Sequence, residues 1–556
     1  MAGATVELDV PATMRDGTTL RANVYRPRGD GPWPVLLTRL PYGKDLPLGT
    51  SILDPVQATR RGYIVVVQDT RGRFSSDGED WEPFRGEPED GYDTVAWAAG
   101  LAGADGQVGM YGASYVGSTQ WTAAIQQPPA LKAMVPFVTW SEPLDGLQAR
   151  GGALEVGTAF NWVLLQGLNQ LVRRHARDPQ AMGRAVAALV ADYDRLASDG
   201  YWQLPPRDFE PVARHRIASL DLAGALRDPG TADHYRVAGH HDRVNVPTFN
   251  VGGWYDIFLQ GTIDNYLAMR DHGVPTGLLL GPWAHGVHLN PIGEQNFGFG
   301  AQLSFIDLRS DFLGLQLRWF DHWLKGADNG VREEPPVRIF VMGANRWRDE
   351  AAWPLTRAVE TVWYLRGGGG LGREPPAADE PPVGYAYDPA DPVVTRGGAL
   401  LMTPEFRPGP LDQRPVESRD DVLLFTSEVL ERDLEVTGPV KVLLWAATSA
   451  PSTDWVARLC DVFPDGRSLN LTDGVLRVRD GAAGAAEREI DLWATSNVFR
   501  AGHRVRLQVT SSCFPRWDRN LNTSEPAGEG TRMEVARQTV FLDAARPSRV
   551  LLPVVG

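Results

Sequence analysis

Two short apolar runs, PVLLTRL at residues 34–40 and YIVVVQDT at 63–70, constrain the fold more than any other feature of the chain. Each is rich in branched aliphatic residues, and neither alternates apolar with polar positions. Continuous runs of this length predict strands covered on both faces, which is the condition of a parallel sheet. LRANVYRP precedes them, with Leu20, Ala22 and Val24 on one face. DGYDTVAWAAGLA then reads as a helix and QVGMYG as the next strand, followed by a helix through STQWTAAIQQ that Pro128 and Pro129 stop. Residues 18 to 145 thus alternate strand and helix, as βαβ units do.

From about 146 to 240 the pattern changes. FNWVLLQGLNQLVRRHA and QAMGRAVAALVADYDRLAS carry apolar residues at helical spacing, and we expect a helical insertion. The βαβ pattern resumes with the strand VNVPTFNVGGWYD, the helix DIFLQGTIDNYLAMRDHG, the strand TGLLLGPWAHG and an amphipathic helix around LRSDFLGLQLRWFDHWLKG. Past residue 348 helices nearly vanish, and short strands separated by Gly and Pro turns predict an all-β domain, a sandwich or jelly roll. The expected architecture is an α/β domain over 1–145 and 241–347, split by a helical cap at 146–240 and followed by a β domain at 348–556. RGGGGLGREPPAADEPP matches G-x-G-x-x-G, but a Pro-rich acidic stretch follows where a dinucleotide site needs a helix, so a flexible loop is expected.

Composition narrows the function classes. The 556 residues carry a formal charge of -14, with no Lys or Arg run dense enough to follow a phosphate backbone, so nucleic acid is not an expected partner. Cys460 and Cys513 cannot form a disulfide framework and lack the grouped partners of a zinc site; both are expected as buried thiols in strands, with a single bridge between them left open. No stretch approaches the roughly 20 apolar residues of a membrane span, and the first residues lack the regions of a secretory signal. The cytoplasm is therefore the default compartment, no membrane partner is expected, and the oligomeric state is open, a homodimer included.

GMYGASYVGSTQW, at 109–121, delivers Ser114 from a strand into a helix. The nucleophile-elbow pattern G-x-S-x-G asks for glycine two residues to either side; Gly112 satisfies it, but position 116 is Val116 and Gly117 comes one step late. A serine hydroxyl is a poor nucleophile unless a base is within reach and a carboxylate orients that base. In hydrolases built on such an elbow the order is Ser, then Asp or Glu, then His, each at the C-terminal end of a strand. His285, directly after TGLLLGPW, and Asp256, at the end of FNVGGWYD, meet this rule. Asp256 also reads as a plain helix cap. His288 lies further from the strand end, Asp264 would fall inside a helix, and Asp242 precedes the strand. His240 and His241, adjacent in an expected strand, would point to opposite faces, and no metal site is expected there. The N–H of Tyr115 and the phenol of Tyr42, in LLTRLPYGKD, are candidate donors to an oxyanion.

With these residues in hand, the chain resembles the cocaine esterase-like branch of the Xaa-Pro dipeptidyl-peptidase group of serine hydrolases. MRDGTTLRANVYRP, VVVQDTRGRFSSDGE, VGMYGASYVGSTQW, GGWYDIF and GPWAHG are similar to its catalytic-domain motifs; LEVTGPVKVLLWAATSAPSTDW and FPRWDRNLNT are similar to those of its C-terminal jelly roll. That family's elbow is G-x-S-Y-x-G, which Gly112, Ser114, Tyr115 and Gly117 match. The resemblance implies an α/β-hydrolase fold, Ser114 as nucleophile, His285 as base, Asp256 as its partner, and Tyr42 and Tyr115 as the oxyanion hole. It further implies an acyl pocket lined by Trp162 and Phe258, with Leu401 and Met402 from the β domain, while a pocket tryptophan of the family has no counterpart around Leu147. The expected substrate is a small ester or amide with a bulky apolar or aromatic acyl group, cleaved without a cofactor. The alternative, a dipeptidyl-peptidase or α-amino-acid ester hydrolase, would bind a free amine and want a carboxylate in the cleft; Glu155, Asp192 and Asp194 are available but are expected on solvated faces. A sugar-binding or adhesive β domain beside a degenerate hydrolase is a third reading, disfavoured by the presence of Ser114, Asp256, His285 and Tyr42.

Overall fold

The computed structural model describes residues 4–306, 308, 310–479 and 484–556. The first three residues of the N-terminal stretch, and Arg309 in the expected last helix, lie outside them. A ten-stranded sheet runs in the order β1-β2-β4-β3-β5-β6-β7-β8-β9-β10. The strands are β1 Thr5–Thr13, β2 Thr19–Arg26, β3 Trp33–Leu40, β4 Ile64–Asp69, β5 Ala104–Ala113, β6 Leu131–Phe137, β7 Thr248–Tyr255, β8 Thr276–Ala284, β9 Val337–Val341 and β10 Arg346–Glu350. Pairings from β4 to β9 are parallel, and antiparallel strands close both edges.

The apolar runs are buried on both faces because each face has its own helices. Leu36, Val65 and Val67 pack with Phe312, Leu317 and Phe320 of one helix, whereas their neighbours Leu37, Ile64 and Val66 pack with Val95, Trp121 and Met269 of three others. Alternate residues of one strand thus enter two different cores. The helices are α1 Glu87–Ala99, α2 Tyr115–Ile125, α5 Leu259–Asp271 and α6 Phe312–Lys325. Asp311 caps α6 by accepting from the Gly314 N–H, and Gly326, left-handed at φ 66, ends it.

Between β6 and β7 come α3 Val156–Arg174, α4 Pro179–Asp194 and several shorter helical turns as far as Tyr235. Helix does not begin at 146, however. Ala149–Arg150 and Ala153–Leu154 form a hairpin whose turn is made by Gly151 and Gly152, both left-handed. A Cβ on Gly151 would lie 1.9 Å from the Val475 carbonyl, so this turn presses directly on the C-terminal sheet.

That second sheet has eleven strands between Ala358–Arg366 and Arg549–Val555, paired antiparallel apart from the single contact of Gly370 with Thr426. The glycine run expected to be a flexible loop is partly strand: Gly370–Gly372 pairs with Tyr364–Arg366, and the Glu380 carboxylate accepts from Arg366, Gly367 N–H and Ala377 N–H beside it. The thiols are free and buried; Cys460 lies in the strand Thr453–Val462, but Cys513 falls in the loop after Arg504–Thr510, where it accepts from Arg458. Among the described residues no helix is long and apolar enough to cross a membrane.

A buried charge cluster joins the hairpin to the β unit. Arg150 stacks 3.6 Å from the Trp493 ring centroid and donates to the carbonyls of Asp473 and Asp491. The Asp473 carboxylate accepts from Arg516 at 2.6 Å and faces Arg458 and Arg150, and these guanidiniums hold it below the usual carboxylate range against the effect of burial. Removing it would leave guanidinium charge buried without compensation. Asp473→Ala is expected to cost about 3–5 kcal/mol of unfolding free energy at pH 7, read by urea denaturation; a cost below about 1 kcal/mol would show that the cluster does not hold the two units together.

Candidate active site

β5 ends at Ala113, and the chain turns into α2 through Ser114, whose φ of 62 and ψ of -123 are unfavourable for any residue with a side chain. Its neighbours hold that geometry. Gly112, at φ 143, lies under Val116, and a Cβ there would meet Val116 Cγ1 at 2.2 Å. A Cβ on Gly117 would meet Thr139 Cβ at 2.6 Å, so the late glycine is where α2 passes against the loop after β6. Ser114 N–H donates to the Phe137 carbonyl at the end of β6, fixing the turn to the sheet.

Asp256 follows β7 and His285 follows β8, at the same end of the sheet as Ser114. His285 Nδ1 lies 2.8 Å from Asp256 Oδ2, and His285 Nε2 lies 3.1 Å from Ser114 Oγ. An ionised carboxylate only accepts, so Nδ1 carries the proton and Nε2 is left to accept from the serine hydroxyl. Asp256 is fully buried, and its other oxygen accepts from the Phe258 N–H at 2.7 Å, which holds the carboxylate in place. This arrangement can withdraw a proton from Ser114 and stabilise the imidazolium that results. His288, packed on Phe137 and Trp283, is held down at about 4 by burial and stays neutral.

Tyr42 follows β3, and its hydroxyl interacts with Ser114 and accepts from Trp162 Nε1 at 3.3 Å. Burial pushes the phenol up to about 12, so it remains a donor at neutral pH. Its loop is braced on both sides: Arg73 Nε donates to the Pro41 carbonyl, and the Asp69 carboxylate accepts the N–H groups of Lys44 and Ser75. Tyr115 N–H opens α2, where the first helical N–H groups have no acceptor inside the helix and the helix dipole favours negative charge. The Tyr115 side chain is anchored separately, its hydroxyl donating to Glu87 at 2.8 Å and accepting from Phe84 N–H. Glu87 in turn pairs with the fully buried Arg39 at 2.8 Å.

Beside Ser114 is a small cavity walled by Trp162, Phe258, Leu401, Tyr42 and Tyr115, together with Phe84, Trp140, Leu147, Thr158, Leu220 and Ile257. Its lining contains no carboxylate and no cationic side chain. Met402 is not part of it, because its thioether packs instead where a Cβ on Gly157 would stand, at the start of α3. Trp140 and Ile257 could have been anticipated, since they follow β6 and β7 at the strand ends where ligands bind in such sheets. Phe84 and Leu220 sit in loops whose sequence carries no comparable signal.

Two of the three carboxylates that an amine-binding site would use are buried and engaged elsewhere. Glu155 is buried, accepts from Trp517 Nε1 at 2.8 Å and is raised to about 7, chiefly by burial. Asp192 is buried and holds His215 and Arg214. Asp194 is exposed. Of the alternative acids, Asp264 lies within α5 and accepts from Gln260, while Asp242 is exposed in the single turn His241–Arg243, which replaces the expected strand; His241 contacts Asn265.

Residues 16–287 match the family described as X-Pro dipeptidyl-peptidase (S15 family), and residues 329–551 match its C-terminal non-catalytic domain. A cocaine esterase of Rhodococcus sp. (strain MB1 Bresler) is 35% identical over 581 aligned residues, covering 99% of this chain and 98% of that protein. The chain belongs to the X-Pro dipeptidyl-peptidase family. Among solved structures, an aminopeptidase from a marine sediment Thaumarchaeota archaeon superposes with a TM-score of 0.80 at 25% identity, covering 100% of this chain and 96% of that one. An α-amino acid ester hydrolase superposes with a TM-score of 0.76 at 26% identity, covering 99% and 96%. The family's mixed architecture, a hydrolase-like α/β part followed by an all-β part, is the one this chain adopts.

Two substitutions test the physical account of the site. Val116→Gly, which creates the common elbow pattern, removes a buried side chain and adds a helical glycine, and is expected to cost about 2–4 kcal/mol of stability without raising activity; a neutral effect in thermal unfolding would show that Val116 does not hold the turn over Gly112. Because the Glu155 carboxyl is raised in the folded state, the native protein holds a proton there that the unfolded chain has lost. Stability from this group is therefore present below about pH 4.5 and lost as pH rises through about 7. Glu155→Gln should remove about 2–3 kcal/mol of the decline between pH 5 and 8, measured by denaturant unfolding of both proteins at the two pH values.

Proposed function

We propose that this chain is a serine carboxylesterase that cleaves small esters, and by extension amides, of neutral apolar or aromatic acyl groups through an acyl-enzyme. Ser114 Oγ attacks the carbonyl carbon as its proton passes to His285 Nε2, and Asp256 stabilises the imidazolium. The Tyr42 hydroxyl and the Tyr115 N–H receive the developing oxyanion. His285 then gives its proton to the departing alcohol, the acyl group remains on Ser114, and a water activated by the same imidazole releases the acid. Each role falls to a side chain or a backbone N–H.

The observation that carries this reading is the cavity adjoining Ser114, whose walls are aromatic and aliphatic and hold no carboxylate. A free α-amine would enter it without a counter-charge, at a large desolvation cost. This favours an ester substrate over the dipeptidyl-peptidase and α-amino-acid ester alternatives, and the full-length similarity to a cocaine esterase supports the same choice. In this reading residues 1–145 and 241–347 are the α/β-hydrolase domain, 146–240 its helical cap and 348–556 a jelly roll. The partner is a small molecule, and the compartment is the cytoplasm.

Turnover of p-nitrophenyl acyl esters is expected to exceed that of an Ala-Pro anilide by at least about a hundredfold in kcat/KM. Ser114→Ala should abolish it, and Tyr42→Phe should lower kcat about 10²–10³-fold with little change in KM, as expected for loss of one oxyanion donor. Ester turnover that survives Ser114→Ala would sink the mechanism, and preferential cleavage of the anilide would promote the peptidase reading.

A further inference from the structure

The cavity beside Ser114 has a volume of only about 20 Å³. That is room for about one water, and far short of a bulky acyl group. A second cavity, of about 420 Å³, lies among the helices between β6 and β7, and its size falls within the range of small-molecule sites. Its walls are mostly apolar, with Phe160, Val163, Phe209, Leu222 and Ala223 among them, and charged side chains enter only as Arg207, Asp208 and Asp221.

Leu220 lines both cavities. The long helix α3 does the same with neighbouring faces: Thr158 and Trp162 border the small cavity, and Ala159, Phe160 and Val163 border the large one. One residue along a helix turns the side chain by about 100°, so the two spaces lie side by side around α3 with Leu220 opposite. The backbone at Leu220 is fixed, because its carbonyl accepts from Gln148 Nε2 at 2.6 Å and the Ala218 N–H two residues earlier donates to Gln170 Oε1. What remains free to change is the Leu220 side-chain rotamer.

We infer that the two cavities are one acyl site divided by Leu220, and that the large cavity receives the distal part of a long aliphatic acyl chain. The inference rests on the esterase reading above and names its substrate class: esters of medium- and long-chain fatty acids, with the carboxyl carbon at Ser114 and the chain passing Leu220 into the space lined by Val163, Val212 and Leu222 beside the stacked rings of Phe160 and Phe209. No reactive group lies in the large cavity's lining that would act on the chain, so its contribution is to binding and to chain-length preference.

The test uses the full-length protein with p-nitrophenyl acetate, butyrate, octanoate and laurate, and reads the octanoate-to-acetate ratio of kcat/KM. The wild-type ratio should exceed about ten. Leu220→Ala, which removes the partition, should raise it several-fold, and Ala213→Trp, placing an indole from an exposed position into the large cavity, should lower it at least tenfold. A ratio that neither variant moves, with acetate still hydrolysed, overturns the subsite and leaves the esterase reading standing. Loss of turnover toward every ester in the wild-type protein overturns the esterase reading and the subsite with it.

Discussion

The strained backbone at Ser114 is the constraint from which the rest of the site follows. A residue at φ 62 and ψ -123 persists only where its surroundings outweigh the local cost, of order 1–3 kcal/mol. Here the surroundings are a sheet strand bonded to the Ser114 N–H, a valine folded over one glycine, and a threonine pressed against the other. The same turn lifts the hydroxyl above the strand end toward His285 and leaves the Tyr115 N–H at the start of a helix. On the proposed mechanism, nucleophile and oxyanion donor are therefore placed by one piece of local geometry, and the positions of Asp256 and His285 need only match it.

The second proposed donor is placed by different means. Tyr42 depends on a braced loop, with Arg73 and Asp69 holding the backbone on either side, and the Tyr115 ring is fixed by a buried chain of contacts through Glu87 to Arg39. Arg39 lies on β3, three residues before Tyr42, so the strand that leads to one proposed donor also carries the cation that anchors the side chain of the other. Buried ion pairs contribute little net stability as a rule. This one orders the Tyr115 ring at the edge of the site.

Much of this was legible in the sequence, and the failures have a common cause. Strands such as PVLLTRL and YIVVVQDT announce themselves because burial on both faces leaves no polar position, and the chain order of Ser114, Asp256 and His285 follows from where a parallel sheet presents its strand ends. The hairpin at 149–154 and the burial of Glu155 and Asp192 were not legible. Each depends on a partner far along the chain: Val475 for Gly151, Trp517 for Glu155, and His215 and Arg214 for Asp192. Local pattern carries no information about such pairings, and an acidic side chain looks solvated until the cation that neutralises it is known.

The hairpin that precedes α3 bears on how the molecule comes into being. Leu154 N–H donates to the Asp518 carboxylate, Gly157 N–H to the Arg516 carbonyl, and Leu401 closes the cavity from beyond residue 400. A growing chain would have made Ser114, Asp256 and His285 well before the segment that sets the start of α3 and walls the pocket. On the proposed mechanism the reacting residues would thus be made before Leu401, the one wall of their pocket that comes from the β unit.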